Sequence, residues 1–156
     1  MAPSGGEAFD PADVVGRALV DAAVAAHDAQ LIEAGLRVYR RVSRPVDEVV
    51  RAAGAVLAAF PSQVLRPGPR RECLVVVVPD SILVAWPGGA LQADEGALVV
   101  EKSRLVRVEI ALAHPAFPFP LVATVEGAFG LCSVGLPRGA TVFGVRMREA
   151  VETGLA

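Results

Sequence analysis

The sequence predicts an α+β protein: helices at the front, a largely antiparallel sheet of about five to six strands behind them, and a helix that closes the chain. Three observations carry that expectation. Apolar residues between positions 14 and 60 recur at three- and four-residue spacing, the period of an amphipathic helix. The run Glu72, Cys73, Leu74, Val75, Val76, Val77, Val78 is β-branched and ends at Pro79, Asp80 and Ser81. Residues 105–112 alternate apolar and polar, which suits a strand with one buried face.

In chain order, residues 1–9 are small and polar and predict a disordered leader. Asp10 suits a helix cap, Pro11 the first helical position, and Asp13 the positive end of the dipole. Val15, Leu19, Ala22 and Ala26 share one helical face, and His27-Asp28 either interrupts this helix or lies within it. Leu31, Gly35, Val38 and Val42 carry the pattern to Ser43, with Arg37, Arg40, Arg41 and Arg44 near the carboxyl end. Pro45 starts a further helix, in which Val46, Val49, Val50, Ala53, Leu57 and Phe60 repeat at helical spacing before Pro61 ends it. Pro67-Gly68-Pro69 marks 61–71 as a loop and the change from helical to β-rich composition.

Four successive valines lose rotamer freedom in a helix, so 72–78 reads as a strand covered on both faces. The Pro79-Asp80-Ser81 turn pairs it with Ile82, Leu83, Val84, Ala85 and Trp86 as a hairpin. Residues 97–101 form a short strand, and 105–112 an alternating one with Val106, Val108, Ile110 and Leu112 on one side. Three prolines break the sheet over 114–120. Strands follow over 121–126 and 129–136, then a helix over 141–153. Residues 10–156 are expected to form one domain. The strand meander closed by a helix, 72–156, is similar in layout to bacterial pleckstrin-homology-like domains, a likeness of fold that implies no function.

Composition narrows the function. A net charge of −2 lacks the basic stripe of a nucleic-acid binder. No apolar run approaches the ~20 residues of a membrane span, and no signal peptide is visible, so a cytoplasmic location is expected. Cys73 and Cys132 sit in apolar, strand-like surroundings and read as buried thiols. His27 and His114 have no second histidine or cysteine near them in sequence, so neither a metal nor another cofactor is expected.

The sharpest chemical pattern runs from Cys132 through Ser133, Val134, Gly135, Leu136 and Pro137 to Arg138. It resembles the phosphate loop of cysteine-dependent phosphatases. The resemblance implies Cys132 as nucleophile, Arg138 binding phosphate with both nitrogens, and a following helix whose amino end lowers the thiol pKa. Departures from that family are Leu131 in place of its histidine, Pro137 in place of a cradle amide, and Gly88 where the general acid would stand.

No acid, base and nucleophile assemble elsewhere. The expected function is therefore a non-catalytic intracellular binding or assembly module acting through protein–protein contacts, with a small phosphatase-like enzyme as the alternative. Candidate binding residues are Phe117 and Phe119, held between prolines, and Arg40 and Arg41 within an arginine group that includes Arg66, Arg70 and Arg71. Phe117 and Phe119 either stand out as anchors or fold back to cap the sheet. A mean hydropathy of +0.49 and alanine-rich helix faces favour a homodimer or docking on a partner chain, with Val38 and Leu57 as candidate contacts.

Overall fold

The computed structural model describes residues 9–66, 70–88, 96–101, 104–127 and 130–138. The first helix, α1 (Pro11–Ala26), starts where the sequence placed it: Asp10 is extended and its carboxylate accepts the Ala12 N–H at 3.1 Å. His27 ends it in the left-handed conformation, with φ at 54°, and its N–H reaches the Ala23 and Val24 carbonyls. His27-Asp28 is thus an interruption. The Asp28 carboxylate then accepts the Gln30 N–H and opens α2 (Gln30–Ala53).

Val42, at φ −122°, bends α2 just ahead of Pro45, whose ring cannot hold the regular helical bond. The Tyr39 hydroxyl donates to Asp47 at 2.5 Å across this bend. Burial first, and Asp47 second, push the Tyr39 pKa well above its ordinary value.

Two sequence expectations fail together here. The helix expected to run to Phe60 stops at Ala53, because Gly54 takes a left-handed φ of 77° and closes it on the Val50 carbonyl. The segment expected as a loop contributes strand β1 (Ala58–Arg66), which includes Phe60 and Pro61. Pro61 pairs with Leu74 of the next strand, while among the described residues β1 pairs with its second neighbour at Val64 and Arg66.

The sheet has seven strands rather than five to six, and every neighbouring pair is antiparallel. After β1 come β2 (Arg71–Val78), β3 (Ser81–Trp86), β4 (Gly96–Glu101), β5 (Leu105–Leu112), β6 (Leu121–Gly127) and β7 (Gly130–Leu136). Their spatial order is β4-β3-β2-β1-β7-β6-β5. The two edge strands are therefore consecutive in sequence. Glu101 and Leu105 are at most ~15 Å apart along the chain, whereas a flat sheet of seven strands would separate its edges by about 29 Å. The sheet must curl, and it forms a half-barrel.

Curling creates two cores. Odd residues of β2, Cys73, Val75 and Val77, line the concave interior with Phe60, Val84, Val100, Val108, Val125, Cys132 and Val134. Even residues Leu74, Val76 and Val78 meet Val15, Leu19, Val38, Val46 and Val50 of the helices. β2 is thus buried on both faces, as its unbroken apolar run predicts. In β5 the register shifts between Leu105 and Arg107, so Leu105 is buried while Val106 stands 60% exposed. Of the alternating set, Val108 and Ile110 keep to the core side. Val38, a candidate partner contact, is instead a buried core residue facing the helix–sheet interface, while Leu57 is half-exposed. The helix expected over 141–153 and most of the leader lie outside the described residues.

Candidate functional site

Strand register brings the arginines of distant segments to one end of the sheet. Gln63 pairs with Glu72, and Val64 with Arg71, so the β1–β2 connection lies at this end. Leu74 pairs with Ala85 and Trp86 with Gly96, which brings the end of β3 and the start of β4 to the same rim. Helix α2 crosses it from above: Arg37 lies 3.5 Å from Glu72, and the Arg41 guanidinium donates to the Gly88 carbonyl at 2.8 Å. Arg40, on the same turn, is exposed.

Two further guanidinium groups are held by aromatic rings. Arg70 sits 4.8 Å from the Phe117 ring centre and also bonds the Gln63 amide oxygen. Arg71 sits 5.7 Å from the Trp86 ring. Such stacking fixes a guanidinium in place by its flat face. The Trp86 ring lies over Gly96, where any side chain would collide with it. Arg66 is exposed at the end of β1. Asp94 and Glu95, which precede Gly96 in the chain, lie outside the described residues.

The proline-rich segment meets this rim. The Ala113 N–H donates to the Pro120 carbonyl at 3.0 Å, closing residues 113–120 into a loop, and the Phe117 N–H donates to His114. Phe117 and Phe119 contact each other with ring centres 5.6 Å apart and are half-buried. Both lie over Gly135, where an added Cβ would come within 2.6 Å of the Phe119 ring. The two rings fold back on β7 rather than stand free, and Phe117 serves as the platform for Arg70. Of the sequence-proposed binding residues, Arg41 and Phe117 are thereby tied to one rim, with Arg40 exposed beside Arg41. Trp86 and Gln63 were not anticipated there. Their part is visible only through cross-strand register.

Cys132 and Arg138 do not form an anion cradle. Residues 130–136 are strand β7, whose backbone pairs with β6, Cys132 opposite Val125. The Cys132 side chain points into the concave core at 2% exposure, while Arg138 is exposed beyond the strand. Desolvation pushes the Cys132 thiol up to about 11, and burial with Cys132 and Glu72 nearby pushes Cys73 higher still. Both thiols stay protonated at neutral pH, the reverse of what a nucleophile needs. The Ser133 and Thr124 hydroxyls pair across β7 and β6 at 2.8 Å. His114 accepts the Ala116 N–H in a local turn. Among the described residues, no three His, Cys, Asp or Glu side chains gather to hold a metal ion, and no helix is long and apolar enough to cross a membrane.

No protein-family model matches the chain, and neither does any curated protein. Solved structures resemble it at low identity. The C-terminal domain of an unknown protein from Leishmania infantum aligns over 68% of this chain and 98% of its own, with TM-score 0.44 and 10% identity. Inner Membrane Complex Sub-compartment Protein 3 from Toxoplasma gondii aligns over 70% and 85%, with TM-score 0.44 and 12% identity. Autoinhibited Vav1 aligns over 81% of this chain and 24% of its own, with TM-score 0.41 and 10% identity.

Proposed function

We propose that this chain is a non-catalytic binding module that holds an acidic segment of a partner protein at the arginine rim. The observation that carries this reading is the convergence of Arg37, Arg40, Arg41, Arg70 and Arg71 at one end of the sheet, three of them braced by a carbonyl or an aromatic ring. Guanidinium groups bind carboxylates with two parallel N–H bonds, and bracing them beforehand lowers the entropy lost on binding. The rim also disfavours pairing with the same rim of a second copy, since like charges would meet. Reading the site as a phosphatase leaves it without a thiolate and without free loop amides.

The experiment is binding of an octaglutamate peptide to the full chain by fluorescence anisotropy, at low and at high salt. An R41E/R70E variant should bind at least about tenfold more weakly, the scale of one or two lost charge-assisted contacts. Wild-type binding should weaken as salt screens the rim. Equal binding by the variant, at an unchanged melting temperature, would remove the rim from the function.

A further inference from the structure

We propose that the segment held at the rim is extended and adds as an eighth strand to the edge of β4, an inference that rests on the arginine-rim reading and specifies its partner. The two sheet edges are built differently. β5 is blunted as an edge: its register shifts beside Val106, and Arg107 and Glu109 project from it. Among the described residues β4 shows no such protection. Its register with β3 runs without a shift from Ser81–Glu101 to Trp86–Gly96, and its sequence, Gly96, Ala97, Leu98, Val99, Val100, carries no charge before Glu101. Among the described residues β4 pairs with β3 alone, and no described strand lies on its other side, the geometry that strand addition uses.

The side-chain surface beside that edge is apolar. Ala59, Val76, Leu83 and Val99 form one row across four strands; the first three are fully buried beneath the helices and Val99 is 47% exposed. Helices α1 and α2 pack mainly on β1, β2 and β3. Ala97, two residues from Val99 on the same face, is exposed as well. An added strand would set its apolar side chains beside Ala97 and Val99. At the Gly96 end it would pass Trp86, which Arg71 stacks on, and run into the rim. The partner is thus a segment with alternating apolar residues on one side and carboxylates at the end that meets the arginines.

Three acetylated and amidated peptides test this against the full chain. The first has alternating valine and threonine followed by three glutamates, so that a strand antiparallel to β4 ends its carboxylates at the rim. The second is the same with alternate backbone nitrogens methylated, made in both registers. The third has glycine and serine followed by three glutamates. The first should bind about tenfold more tightly than the third, the gain expected of one or two main-chain hydrogen bonds. Methylation in one register should abolish that gain and in the other spare it. Val99→Lys should abolish it too while leaving the melting temperature and the third peptide's affinity unchanged, and Val106→Lys on the opposite edge should change nothing. Binding of the third peptide with no gain from the first would overturn strand addition and leave the rim reading standing. Failure of all three peptides to bind would overturn both. Nuclear Overhauser contacts from the outward β4 amides to this chain's own residues beyond 138 would show the edge filled from within, and would also overturn the proposal.

Discussion

Strands β1 to β3 and strands β5 and β6 are both antiparallel ladders, yet they bury themselves in opposite ways. In the first group each strand lies between the concave core and the helices, and β2 is enclosed from Cys73 to Val78. In β5 and β6 the concave face is apolar and the outer face is mixed: Arg107 pairs there with Glu109 at 3.3 Å and with Glu126 at 3.4 Å. The difference is written in the composition of the strands, a valine run against an alternating one. Among the described residues the helix layer covers β1 to β3, and the strands it leaves bare carry their own polar surface.

The largest test of this contrast is a carboxylate placed on each side. Val76→Asp puts an unpaired charge between the helices and the sheet, and the cost of several kcal/mol is comparable to the ~5–15 kcal/mol stability of a whole domain. The variant should fail to give a cooperative melt. Val106→Asp, on the exposed side of β5, should stay within about 0.5 kcal/mol of wild type in urea unfolding. If Val76→Asp melted cooperatively, the enclosed half would not be the structural centre.

A smaller effect is expected at Gly135 on β7, over which the Phe117 and Phe119 rings lie. Gly135→Val should displace Phe119 and Phe117 and cost about 1–3 kcal/mol, as overpacking does. It should also loosen Arg70, which stands on Phe117, so peptide binding at the rim should weaken alongside stability. A variant as stable as wild type would mean that the loop does not depend on this contact.

The thiols add a pH signature to the shared concave core. Cys132 has its pKa raised from 9.0 to about 11, so the folded state holds its proton more tightly than the unfolded chain. Its contribution is complete below pH 9 and is lost as pH rises from 9 towards 11. Cys132→Ala should remove that part of the alkaline decline, at a cost of about 1–2 kcal/mol at neutral pH for the lost packing. Identical alkaline slopes in urea titrations of the two proteins would place the thiol in contact with water. Smallest of all, Arg107→Ala should change stability by less than about 0.5 kcal/mol, because its pairs with Glu109 and Glu126 are exposed.

Several elements were legible because their causes are local. The start of α1 is written in Asp10-Pro11, and the two-sided burial of β2 in four successive valines. β1 was missed because Val46, Val50, Leu57 and Phe60 keep helical spacing across Gly54, and the stop depends on that glycine turning left-handed. Pro61 reads locally as a terminator, and its pairing with Leu74 of β2 is what makes it a strand residue. The phosphatase-like spacing from Cys132 to Arg138 is equally local. Whether those residues form a loop or a strand depended on β6 pairing with them.

By itself the sequence determined the α+β class, the first helix cap, the enclosed central hairpin, the alternating strand and the apolar setting of both thiols, since each follows from residues a few positions apart. Tertiary structure alone decided the seven-strand order, the curl forced by joining the two edges through so short a link, and the gathering of Arg37, Arg41, Arg70 and Arg71 with Trp86 and Phe117 at one rim. Those depend on which strand lies beside which. Periodicity reports the face a residue takes on its own element, whereas register between distant strands is settled by the total area the whole chain can bury.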